Sequence, residues 1–408
     1  MNFKGCIDTT LRDGLASPLL YDSKKYSFSI EERKKIVESL VELGVRHFEF
    51  FSPVVGEEEE RSFREIKKWV GNKKRGKKIY YLAHCRCCVE DIKAAIEAGC
   101  DGLNLYMGLS AKAQENYGKS FSEIVAIVEE TIRKTREKYP KMWLRYSGED
   151  AFRTPTKDLF YVYDKIAGFV NTVGMPDTTG MANPLMVAKM VKLMKKRYPR
   201  VNLECHFHNE RGMALVNALW AIKAGAEYVD TSVWGMAERS GISSITGLLF
   251  NLYHLDKKLV ADYELELCYP VNVLMASTLK MQVPYNEPVS LTNRTHVAGV
   301  HQKAVLSDKK NYEASSLEKF GVSREELLLG PLSGWNYIFY YLKEVENFLI
   351  DEAQAKEIVA KFKKRSGEMG PKCHPEKLLL EIVAEYGLSK VVVPEKYRER
   401  RMENLEKK

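Results

Sequence analysis

Gly5-Cys6-Ile7-Asp8-Thr9-Thr10-Leu11-Arg12-Asp13-Gly14 begins as a short apolar run and ends in an arginine, an acid and a glycine. The turn after a first strand separates the two ways of winding strands and helices in alternation. An open doubly wound sheet expects a glycine-rich turn there, whose backbone cradles a phosphate. Thr9–Gly14 is not such a turn, so a closed (β/α)₈ (TIM) barrel is expected. In a barrel the C-terminal ends of all strands share one mouth, and Arg12 and Asp13 would face it.

Outward from this stretch, apolar runs rich in β-formers recur at 5–8, 47–51, 79–84, 102–106, 142–147, 169–173, 202–206 and 228–233. Amphipathic helical spacing lies between them at 30–43, 89–98, 121–138, 185–197 and 212–224. Leu43-Gly44-Val45, Ala98-Gly99-Cys100 and Ala224-Gly225-Ala226 each put a glycine where a helix ends and the chain turns back to a strand. After residue 255 the alternation stops, and Pro270, Pro284 and Pro288 punctuate an irregular region. The expected organisation is a catalytic barrel over 1–268, a linker and small subdomain over 269–340, and a helical region with a basic tail over 341–408.

Composition narrows the class. No apolar run is long enough to span a bilayer, and no basic–aromatic interleaving resembles a nucleic-acid surface. Met1–Phe3 lead straight into a strand, and eight cysteines do not make a disulfide scaffold, so a cytoplasmic protein with reduced thiols is expected. The net charge of +8 sits largely in exposed runs such as 73–78 and 398–408, and it favours polyanionic small molecules such as a CoA thioester. Cys85-Arg86-Cys87-Cys88 lacks a second spaced pair and reads as packed thiols rather than a zinc site.

The chemistry gathers at the strand ends. His206-Phe207-His208-Asn209 places two imidazoles on one face of a strand, because strand side chains alternate with period two. Asp13, from the neighbouring first strand, could complete a three-residue divalent-metal site with open positions. Arg12 beside it suits an anionic substrate. Glu49, His84, Arg86, Arg145, Ser147, Glu149, Asp150, Asp177 and Thr178 end other strands. For Glu49 and Arg145 the alternative role is a buried ion pair that only holds strands together.

With these residues placed, the chain resembles the metal-dependent acyl-CoA condensing enzymes and lyases that include 2-isopropylmalate synthase, homocitrate synthase and HMG-CoA lyase. The likeness spans the barrel and continues to about residue 340. The homocitrate synthase branch fits best, through His84-Cys85-Arg86-Cys87, Leu144–Arg153, Gly235–Ile242, Thr295–His301, Asn311-Tyr312-Glu313 and Ser333–Asn336. The eighth loop lacks the Gly-Cys segment of an HMG-CoA lyase.

The resemblance implies a Claisen condensation of acetyl-CoA with a 2-oxo dicarboxylic acid, 2-oxoglutarate to homocitrate being the lead. A divalent ion (Zn, Mn or Mg) would sit on Asp13, His206 and His208. Arg12, His84, Arg145 and Thr178 would bind the oxo acid, and Arg12, Glu49 and His301 would be catalytic. His301 would act in trans within a homodimer. A Re-type citrate synthase using oxaloacetate, an isopropylmalate or citramalate synthase, a lyase and an inactive binding protein are the alternatives. The chain departs from the family at Ala16, where a Gln usually stands, in the polar insertion 21–28, at Glu210-Arg211, and at Arg324-Glu325, where the branch has an Arg-Tyr pair.

Overall fold

The computed structural model describes residues 1–71 and 78–391. Of the basic runs, 73–77 and 398–408 lie outside the described residues. Eight parallel strands close a barrel: β1 (Gly5–Asp8), β2 (His47–Phe51), β3 (Tyr80–Arg86), β4 (Gly102–Tyr106), β5 (Trp143–Ser147), β6 (Thr172–Asp177), β7 (Asn202–Phe207) and β8 (Tyr228–Thr231). The ring shuts where β8 pairs with β1, Gly5 opposite Tyr228 through Asp8 opposite Thr231. The absence of a phosphate turn after β1 is thus a sound sign of closure.

Local signals explain the helices. Ser29 and Ser120 cap the helices Ile30–Leu43 and Phe121–Lys138 through reciprocal boxes with Glu32 and Glu123, satisfying N–H groups the first turn leaves open. Gly44 ends the first of these at φ 121°, and a Cβ there would stand 2.6 Å from the Asp262 carbonyl oxygen. No side chain fits that corner. The helices Glu57–Gly71, Ala111–Tyr117, Thr156–Ile166 and Ile245–Leu255 add to those expected from the sequence. The sixth strand begins three residues later than its apolar run. Phe169 and Val170 are apolar because Val170 is buried, but the Asn171 amide turns to the Leu144 carbonyl before the ladder starts at Thr172. Pro176 is tolerated in β6 because pairing with β5 ends at Gly174.

Period two sorts the barrel interior into layers. Ile7, Leu82 and Tyr228 pack near the N-terminal end. There the His47 ring stacks on Tyr80 at 5.0 Å and meets Trp143 and Tyr228 at 5.0 and 5.1 Å. Two residues further along each strand the interior turns polar: Glu49, Asn104, Arg145, Glu204 and Asp230 are all buried. Two residues past Arg145 and Glu204, Ser147 and His206 reach the mouth, where His84, two past Leu82, also lies.

The chain divides into two compact units, 1–289 and 290–408. Residues 269–289, expected in the linker, belong to the first unit. Asn272, in the helix Cys268–Leu279, donates to the Val289 carbonyl and to Thr246 Oγ1. The second unit holds a parallel pair, Thr295–His296 with Glu326–Leu327, and the helix Gly299–Ser307. The helices Trp335–Tyr340, Glu352–Met369 and Pro375–Glu385 then pack around Ile338, Phe362, Leu379 and Ile382. Among the described residues no helix is long and apolar enough to cross a membrane.

Candidate active site

The strand ends of the barrel surround a cavity of about 300 Å³. Arg12, Asp13, His84, Arg145, Thr178, His206 and His208 all line it, so seven of the residues singled out in the sequence meet at one place. Glu49 lies just beneath, fully buried. His301 belongs to the second unit, on the helix Gly299–Ser307.

Asp13, His206 and His208 each offer one ligand atom, and these atoms all lie within 4.8 Å of one another. His206 Nε2 lies 3.4 Å from Asp13 Oδ2, while its Nδ1 is 3.1 Å from Asp230 Oδ2. A carboxylate behind a histidine fixes the ring and leaves its other nitrogen for a metal. Asp13 Oδ2 and His208 Nδ1 are buried without a hydrogen-bond partner among the described residues. The Arg12 guanidinium is 3.0 Å from Asp13 Oδ2, but not aligned to donate to it. Buried orphaned acceptors on an O,N,N donor set fit a divalent ion.

The ionisation states agree. Burial would raise the Asp13 carboxyl, but Arg12, His206 and His208 outweigh it and hold it below the usual carboxylate range. Burial and the neighbouring His206 push His208 down to about 3, so its ring is a neutral ligand near pH 7.

One layer down, Glu49 is the hub. Its Oε1 stands 3.1 Å from both Arg12 and His84, and its Oε2 is 2.7 Å from Arg145 and accepts from Asn104 at 3.1 Å. Burial works against its charge, yet Arg145 and Arg12 hold it far below the ordinary range. Arg145 also reaches Asp230 at 3.2 Å and Glu204 at 3.6 Å. Burial, with Asp230 and Glu49 nearby, pushes the Glu204 carboxyl well above the usual carboxylate range despite Arg145. Imidazoles aside, the Arg12 and Arg145 guanidiniums meet the carboxyl groups of Asp13, Glu49, Glu204 and Asp230, and Glu149 and Glu238 also line the cavity. A divalent cation would offset negative charge among these carboxylates and suit an anionic substrate.

His84 is held from two sides. Its ring stacks on Tyr106 at 4.2 Å, and its Nδ1 lies 3.0 Å from Asn104 Nδ2. Burial and Arg12 push its pKa down. Thr178 Oγ1 accepts from the Asp150 amide at 3.0 Å. In the second unit, His301 stacks on Tyr312 at 4.0 Å, so a phenol does stand beside it, ahead of the Arg324-Glu325 segment. At the end of β3, Cys85 is buried, and Cys88 Sγ donates to Asp91 at 3.2 Å.

Asn104, Glu204 and Asp230 are site residues that a reading confined to strand ends misses. The signal is present in the sequence. Glu204 precedes His206 by two residues and must share its face, and a carboxylate inside an apolar strand, as Asp230 is, needs a partner.

Residues 5–272 match the HMGL-like family, and residues 289–369 match the homocitrate synthase post-HMGL domain-like family. The chain belongs to the HMGL-like family. It is 34% identical over 364 residues to the mitochondrial homocitrate synthase of Schizosaccharomyces pombe, covering 88% of this chain and 83% of that one. The cytosolic isozyme of homocitrate synthase from Saccharomyces cerevisiae is likewise 34% identical, over 88% of this chain and 81% of its own. Among solved structures, an HMG-CoA lyase from Acinetobacter baumannii, in complex with coenzyme A and 3-methylmalate, superposes with a TM-score of 0.57. It is 20% identical and covers 70% of this chain and 94% of its own. At that identity the likeness speaks for the barrel alone.

Proposed function

We propose that this enzyme condenses acetyl-CoA with a 2-oxo dicarboxylic acid, 2-oxoglutarate giving homocitrate. The observation that carries the reading is the barrel mouth itself. Asp13, His206 and His208, three side chains able to hold a metal, lie beside the Arg12 guanidinium, within a family whose homocitrate synthase members also share the second unit.

Asp13, His206 and His208 would hold the ion, which when bound supplies Lewis-acid polarisation of a ketone. Arg12 and Arg145 face the anionic end of the oxo acid, and Thr178 offers a hydroxyl to its carboxylate. His84, braced by Tyr106 and Asn104, meets the far carboxylate. His301, supplied by the partner subunit of a homodimer and supported by Tyr312, takes a proton from the acetyl methyl. The carbanion forms the new C–C bond at the ketone carbon, whose oxygen takes up a proton. Water then splits the thioester, releasing CoA thiol and a carboxylate. Glu49 positions Arg12, Arg145 and His84 together. The metal is Zn, Mn or Mg, and the compartment is the cytoplasm, although the relatives' names include both cytosolic and mitochondrial forms.

The test is thiol release from acetyl-CoA across a panel of oxo acids with each metal. Release with 2-oxoglutarate above oxaloacetate and 2-oxoisovalerate is expected. No release with any of them would sink the proposal.

A further inference from the structure

Glu210 and Arg211 follow His208 after Asn209, where they could have projected into the substrate cavity. Neither lines it. Both turn sideways onto neighbouring loops. Arg211 donates to the Met181 carbonyl at 2.7 Å. Glu210 Oε1 lies 3.1 Å from Arg239 Nε, and Arg239 Nη2 donates to the Thr178 carbonyl at 2.5 Å. The loops after β6, β7 and β8 are thereby tied together at the rim.

The tie has two costs that mark it as over-determined. Arg239 sits at φ 55°, a left-handed conformation that residues with a Cβ avoid. Gly180 sits at φ 63°, and a Cβ there would lie 2.9 Å from the Glu210 backbone nitrogen as well as against its carboxylate.

The residue held by the tie is Thr178. Its carbonyl is taken by Arg239, and its Oγ1 accepts from the Asp150 amide. A threonine hydroxyl has one hydrogen to give. Among the described residues no acceptor takes it, and Thr178 lines the cavity.

We infer that Glu210 and Arg239 are positioning residues that lock the Thr178 hydroxyl as a fixed donor to a carboxylate oxygen of the oxo acid. The inference rests on the proposed condensation. It assigns this rim pair to oxo-acid affinity, not to acetyl-CoA or the metal.

Steady-state thiol release by the metal-loaded, full-length enzyme tests it, each substrate being varied with the other saturating. Arg239→Met should raise the KM for 2-oxoglutarate about tenfold, the effect of losing one hydrogen bond to a charged group. The KM for acetyl-CoA should stay within about twofold. Thr178→Val should cost as much, and the double variant no more than Thr178→Val alone, because both changes remove the same interaction. Multiplying effects, or equal rises in both KM values, would overturn the assignment. So would a loss that tracks weakened metal affinity in chelator competition. If Arg239→Met does not fold, Glu210→Gln disturbs the same tie, with the same pattern expected. Should the wild type turn over no oxo acid, the condensation falls, and calorimetry still decides the rim pair. Binding of 2-oxoglutarate about tenfold weaker in Arg239→Met sustains it, and unchanged binding refutes it.

Discussion

Asp230→Asn strikes the layer beneath Asp13, His206 and His208 with the smallest change of shape. Asp230 Oδ1 meets Arg145 Nη1 at 3.2 Å, and Oδ2 meets both Arg145 Nη2 at 3.4 Å and His206 Nδ1 at 3.1 Å. Whichever oxygen becomes an amide nitrogen, a donor then faces a donor. The lost attraction to Arg145 at 3.2 Å is about 5 kcal/mol at an effective dielectric near 20. Glu204 offsets part of this. The charge on Asp230 helps to raise the Glu204 carboxyl, so Glu204 ionises more readily once Asp230 is neutral. A net destabilisation of about 3 kcal/mol is expected, at the low end for breaking a buried pair. Because Asp230 orients His206, affinity for Zn or Mn should also fall about 10- to 100-fold. Urea unfolding of the metal-free protein and chelator competition measure the two effects separately. Metal affinity within twofold of wild type would refute the role given to Asp230 and His206.

Three further outcomes are expected from the same geometry. Burial lowers the His47 pKa from its ordinary 6.5 to about 4, whereas the unfolded chain protonates near 6.5. Between those values the unfolded state binds more protons, so stability falls as pH falls; His47→Phe should remove up to about 3 kcal/mol of that loss, read from urea unfolding at pH 7.5 and 4.5. His84→Leu should raise the KM for dicarboxylic oxo acids about tenfold while leaving 2-oxoisovalerate within about twofold, since only the far carboxylate loses a partner. Mixing His301→Ala with Asp13→Ala subunits should restore thiol release to the extent that hybrids form; inactive hybrids would place His301 in cis or outside the reaction.

Much of this is legible in the residues because barrel chemistry sits where strands end. Asp13, His206 and His208 can be grouped before any coordinates, since a His-x-His strand end has one facing direction. The layer beneath is harder. Asn104 and Asp230 look like ordinary polar interruptions until β3, β4, β5 and β8 are set side by side. Only register shows that Asn104 neighbours His84. Glu210-Arg211 is legible as a departure, but not as a tie between loops, because its partners Arg239 and Met181 lie on other loops. Phe169 misleads for a physical reason: apolar residues that close a helix-to-strand connection look like the strand itself.

If this metal cluster and its arginines join an acetyl unit to a dicarboxylic oxo acid, the product itself is the decisive observation. Mass spectrometry of the reaction of acetyl-CoA, 2-oxoglutarate and metal-loaded enzyme should show a tricarboxylic hydroxy acid equal to 2-oxoglutarate plus the elements of acetic acid. One CoA thiol should form with it, and neither should appear with Asp13→Ala or excess chelator. Recovery of unchanged 2-oxoglutarate beside hydrolysed acetyl-CoA, or product formation undiminished in Asp13→Ala, would contradict it.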